Sequence, residues 1–123
     1  MKAISIRQPW ASMIVKGHKP VENRSWRSFY RGALHIHAAK TWDQAGAEWI
    51  IKNFVHLERD VADARALCGG IIGRVIMVGC VRQHASPWFA GKWGFVFSDP
   101  ESCELRPCPG RLGVFNLPHT IKF

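Results

Sequence analysis

The chain has 123 residues, of which 47% are hydrophobic and 21% charged; this is the size of one ordinary domain, able to bury roughly two-thirds of its extended surface, and it excludes disorder and fibrous classes. Seventeen Lys and Arg against nine Asp and Glu give a formal charge of +8, a balance that attracts polyanions through counterion release. No run approaches the length of a membrane span, and no secretory signal opens the chain, so a soluble, cytoplasmic protein without a membrane partner is expected.

Ala3 to Arg7 alternates, with Ile4 and Ile6 on one side and Ala3, Ser5 and Arg7 on the other, as in a half-buried strand. Pro9 suits the first turn of a helix, Trp10, Met13 and Ile14 follow at helical spacing, and Gly17 can end that helix. From Val21 to Trp26 an extended segment brings Glu22, Arg24 and Trp26 to one face. Leu34, Ile36 and Ala38 alternate with His35 and His37 in another strand.

Thr41 and Gln44 make a capping box before the apolar stripe of Trp42, Ala45, Trp49, Ile50, Phe54 and Leu57, predicting a helix over about 42 to 67, broken near His56. Gly69 and Gly70 close it, and Ile71 to Val81 reads as a central strand. Trp93 to Ser98, Cys103 to Arg106 and Leu112 to Leu117 are three shorter strands punctuated by Pro and Gly. No repeat or linker divides the chain, so one α+β domain spanning residues 1 to 123 is expected, with five to seven strands in a curved sheet or small barrel and helices inserted in the first half.

Chemistry-bearing side chains concentrate between Arg7 and Lys40. Arg7 and Gln8 precede a helix, where an anion could be held, or Gln8 could simply cap that helix. Lys19, Glu22 and Arg24 allow either a base with its orienting cation or a structural ion-pair network. Among six indoles, Trp26 is the foremost base-stacking candidate and Trp88 the second. His35 and His37 lack a third ligand at local spacing, and the four cysteines lack a C-x-x-C pattern, so no metal and no cofactor is called for.

The run Ile4-Ser5-Ile6-Arg7-Gln8-Pro9-Trp10-Ala11, followed by Gly17-x-Lys19-x-x-Glu22-x-Arg24-Ser25-Trp26, Tyr30-Arg31-Gly32 and Ile36-His37-Ala38, closely resembles the ASCH domain of the PUA-like superfamily. Ser86-Pro87-Trp88-Phe89, Trp93-Gly94-Phe95-Val96 and Gly110-Arg111-Leu112-Gly113 are similar to its later half. The resemblance implies a PUA-like pseudobarrel with a cleft beside the first helix, lined by Lys19, Glu22 and Arg24. It also implies binding of RNA or a nucleotide-like ligand, with single-stranded DNA as an alternative partner. The expected site is Arg24 and Trp26 on the ligand, with phosphates positioned by Arg7, Arg31 and Lys40 and cleft residues oriented by His37. Some small members of the family hydrolyse N4-acetylcytidine and others are ascribed ribonuclease activity, which makes hydrolysis through Lys19 and Glu22 the competing expectation. The hydrolase branch that this chain resembles is built around a motif lysine and a threonine nucleophile, with a further glutamate; Lys19 matches, but Glu22 stands where the threonine would be, and a carboxylate is a poor nucleophile toward an amide.

Overall fold

The computed structural model describes residues 1–123. Six strands, β1 (Lys2–Gln8), β2 (Val21–Arg24), β3 (Gly32–Trp42), β4 (Gly70–Val81), β5 (Trp93–Pro107) and β6 (Val114–Asn116), and three helices, α1 (Trp10–Val15), α2 (Gln44–Asn53) and α3 (Glu58–Ala64), build an α+β fold. The strands form one mixed sheet in the order β2-β5-β4-β3-β1-β6. Only β1 and β3 run parallel, and the end strands β2 and β6 do not pair with each other, so the sheet is not closed.

The apolar face read from the sequence is buried, and Ala3, His35 and His37 on the opposite face are buried as well. Ile4 and Ile6 of β1, Leu34 and Ile36 of β3, and Phe95 and Phe97 of β5 meet Ala11, Ile14 and Val15 of α1 in the main core. A second cluster joins Met13 of α1 to Ile50 of α2, Val61 of α3 and Trp88. No helix is long and apolar enough to cross a membrane.

Several local expectations are corrected. The cap of α2 is Asp43, whose carboxylate accepts the Gly46 amide at 2.9 Å, while Thr41 is still in β3. The ladder decides this, since Trp42 still pairs with Gln8 of β1, beyond a register shift that follows Ile6. The helical stretch is divided near His56, as expected: the chain leaves α2 at Phe54, makes a 3-10 turn over Val55–Leu57, and starts α3 at Glu58. The buried face of α2 is consequently Gly46, Ala47 and Ile50, and Ala45 is exposed.

Trp93–Ser98 and Cys103–Arg106 are one strand, β5, continuing through Asp99 and Pro100. Asp99 has φ 52 and lies with Pro100 in an irregularity between the Ile76–Ser98 and Arg74–Glu101 pairs. A proline lacks the ladder's N–H and is tolerated where a bulge interrupts pairing. Pro9 lies just before α1 rather than inside it, and Trp26 falls beyond the end of β2.

Candidate functional site

The turn after α1 delivers the first functional side chain. Gly17 takes φ 85, and the amides of His18 and Lys19 both donate to the Met13 carbonyl, at 2.9 and 3.0 Å. This glycine-terminated helix end turns Lys19 inward, where it is 3% exposed. Its Nζ donates to Glu22 Oε1 at 2.9 Å and to the Val21 carbonyl at 2.5 Å.

Glu22 is held by antiparallel pairing of β2 with β5, opposite Phe95. Its second oxygen accepts from Arg24, with Nε at 3.2 Å and Nη2 at 3.1 Å. Arg24 Nη2 donates onward to the backbone carbonyl of Ser5 on β1, at 2.9 Å. Lys19, Glu22, Arg24 and Ser5 thus form one polar chain linking the α1–β2 turn to the sheet. Both carboxylate oxygens of Glu22 already accept from cations, so it is arranged as an anionic brace between them.

These groups border a cavity of about 450 Å³ whose lining also includes Asn23, Trp26, Trp10 and Asp43. Trp26 is 37% exposed and meets Phe95 edge-on at 5.0 Å, leaving indole surface toward solvent. Trp10 also lines it, and its indole N–H donates to Asp43 Oδ2 at 2.8 Å. That hydrogen bond, together with the Gly46 amide and the nearby Arg7, holds the Asp43 carboxyl below its ordinary range. Gly46 permits this contact, because a Cβ there would come within 2.5 Å of the Trp10 ring.

A second basin, of about 560 Å³, adjoins the first and shares Ser5, Arg7 and Arg24 with it. Lys40 from β3 and Arg111 from the loop before β6 also line it, and no carboxylate does. On its wall Ser5 Oγ lies 2.9 Å from His37 Nδ1, and His37 Nε2 lies 2.8 Å from the Cys108 carbonyl oxygen. A carbonyl only accepts, so the neutral imidazole carries its proton on Nε2 and receives the Ser5 hydroxyl at Nδ1.

The fold therefore brings together Arg7, Lys19, Glu22, Arg24, Trp26, His37 and Lys40. It does not bring in Gln8, which is 1% exposed and spends its amide on Ser12 and the Leu67 carbonyl. Arg31 is turned to the carbonyls of Ser28 and Tyr30. Trp88 is buried, stacked on Phe54 at 4.5 Å and packed edge-on against Trp10 and Trp49. Ser5, Trp10, Asp43 and Arg111 complete the site without having been singled out from sequence. Ser5 shares the outward alternation of Arg7 and lies in the family-like run from Ile4, and Arg111 lies in the family-like Gly110-Arg111-Leu112-Gly113, but no local pattern brings Arg111 to this basin.

The model of the ASCH domain family matches residues 4–102. The chain belongs to the ASCH domain family. The matched segment carries Ser5 through Asp43, whereas Arg111 and β6 lie beyond it. Activating signal cointegrator 1 from Homo sapiens is 54% identical over 35 residues, 28% of this chain and 6% of that protein. Its Mus musculus counterpart matches to the same extent, 54% over 35 residues. The matched stretch is thus a small fraction of those relatives. An ASCH protein from Zymomonas mobilis has a crystal structure similar to this fold with a TM-score of 0.59 and 14% identity, covering 96% of this chain and 87% of that one. A point mutant of that ASCH protein gives a TM-score of 0.60 at 14% identity, over 96% and 90% of the two chains. These likenesses establish that the ASCH fold is shared.

Proposed function

We propose that this ASCH domain, acting as one unit over residues 1 to 123, binds single-stranded RNA or a modified-base nucleotide in the cleft between β1, β2 and the loop before β6. The observation that carries the reading is the pairing of two compartments of unlike chemistry through Ser5, Arg7 and Arg24. One offers aromatic surface and mixed charge for a base; the other is lined by four cations and no carboxylate, of which Lys40 and Arg111 have no ion-pair partner while Arg7 and Arg24 also pair with Asp43 and Glu22 of the first. Family membership and the +8 charge support the same reading.

Within it, Trp26 stacks on the base, and Arg24 presents a donor edge that Glu22 holds in place. Arg7, Lys40 and Arg111 take the phosphates. Gln8, Arg31 and Trp88 act in support of the fold. Hydrolysis with Glu22 as general base is the weaker reading, because both of its oxygens are occupied by Lys19 and Arg24.

Fluorescence anisotropy of a short labelled single-stranded RNA across a salt series tests the proposal. Binding is expected at low salt, with a steep salt dependence that Arg111→Ala makes shallower. If neither RNA nor any nucleotide binds at low salt, the reading fails.

A further inference from the structure

We propose that Ser5 and His37 form a nucleophile–base pair that hydrolyses an acyl ester on the sugar of a bound nucleotide; the choice of substrate rests on the nucleotide reading above.

The geometry has three parts. Ser5 Oγ is 2.9 Å from His37 Nδ1, within the range for proton transfer, and this is the only hydrogen bond the hydroxyl makes. His37 Nε2, 2.8 Å from the Cys108 carbonyl, is fixed as the protonated nitrogen, which leaves Nδ1 free to act as a base. The two residues are direct partners in the parallel β1–β3 ladder, so the pair is held by strands rather than by a mobile loop.

The surroundings select the substrate. Ser5 is among the residues common to both compartments. In a nucleotide the sugar joins base to phosphate, so a ligand spanning the compartments carries its sugar past Ser5. Arg7 and Arg24 line the same junction and supply positive charge for an oxyanion. The loop before β6 closes one side: a Cβ on Gly110 would come within 2.8 Å of His37 Cε1 and 2.9 Å of Ser5 Oγ, so only glycine passes this close.

In the reaction, Ser5 Oγ bonds to the acyl carbon as its proton moves to His37 Nδ1. The ester C–O bond breaks, and the sugar oxygen leaves with the proton returned by His37. Water, deprotonated in turn by His37, attacks the acyl-Ser5; the Oγ–acyl bond breaks, Ser5 Oγ takes the proton back from His37, and the carboxylic acid leaves. Ester and water give acid and alcohol, with no further reactant.

The test uses AMP acetylated on its ribose hydroxyls, beside para-nitrophenyl acetate, an ester that requires no nucleotide recognition. Wild type is expected to release acetate from the AMP ester well above the solution rate, and acid quenching to leave an acetylated Ser5 peptide detectable by mass spectrometry. Ser5→Ala, checked for folding by circular dichroism, is expected to lower turnover at least about 100-fold. Turnover by Ser5→Ala within about twofold of wild type overturns the pair, as does failure of wild type to accelerate either ester. Ser5-dependent hydrolysis of para-nitrophenyl acetate by a protein that does not bind AMP upholds the pair and removes the nucleotide reading.

Discussion

Lys19 Nζ lies 2.9 Å from Glu22 Oε1, and the two side chains are 2% and 10% exposed. A pair withdrawn this far from water is held by mutual compensation, and removing Lys19 leaves the Glu22 carboxylate with Arg24 as its one remaining cation. Lys19→Met is therefore expected to lower the unfolding free energy by about 3 kcal/mol, seen as a reduced midpoint in urea. Lys19→Met combined with Glu22→Leu is expected to recover most of that loss, since no buried carboxylate is left short of its lysine and Arg24 keeps the Ser5 carbonyl as a partner. A single variant as stable as wild type would show that the pair contributes little to folding.

Trp26 tests recognition with limited effect on the core, because it is partly exposed and only edge-packed on Phe95. Trp26→Ala is expected to weaken binding of single-stranded RNA by about tenfold, in keeping with roughly 1–3 kcal/mol for base stacking. Titration calorimetry at fixed salt measures it. Unchanged affinity would move the base away from this indole.

The basin cations are expected to act additively and without base preference. Lys40→Ala and Arg111→Ala should each reduce the slope of log K against log salt by about 1, and the double variant by about 2. Arg31→Ala, whose guanidinium is turned to the Ser28 and Tyr30 carbonyls, should leave that slope unchanged. Anisotropy titrations at several salt concentrations separate these outcomes.

Asp43 couples stability to acid. Its carboxyl is held low by the Trp10 indole N–H first, then by the Gly46 amide and Arg7. The unfolded chain binds this proton more readily than the folded one, so stability rises with pH across the carboxylate range. The contribution is complete above the ordinary value of 3.8 and is lost as pH falls through the lower, folded value. Asp43→Ala should cost about 1 kcal/mol near neutrality through loss of the α2 cap. It should also flatten the acid limb of stability against pH, measured by thermal unfolding from neutral pH downward.

His35 adds a separate, milder acid dependence. Burial lowers its pKa from 6.5, outweighing its hydrogen bond to the Lys2 carbonyl. Stability is thus complete above about that value and decreases as pH falls below it, toward the lower folded value. His35→Gln should remove the slope in this window, and a slope that persists would assign it to another group.

Much of the fold was legible because period-two alternation and glycine punctuation are local signals. Ile4 and Ile6, Leu34 and Ile36, and the run from Ile71 took their places in the sheet from side-chain chemistry alone. Local signals failed where pairing overrode them. Thr41 with Gln44 reads as a capping box, yet β3 persists to Trp42 because β1 offers it a partner. Pro100 reads as a break, yet β5 continues because a bulge needs no amide hydrogen there.

The sequence by itself determined the family motif, the positive charge and the nearness of Lys19, Glu22 and Arg24, all set by residues a few positions apart. Tertiary structure alone decided that Glu22 is braced from both sides, that Gln8 and Trp88 turn inward, and that Ser5 meets His37 across 32 positions of chain. It also brought Arg111 to the basin of Arg7, Arg24 and Lys40. The physical reason is that strand register and loop return join residues whose separation in sequence leaves no periodic trace, and a side chain's chemistry is set by which of those neighbours it meets.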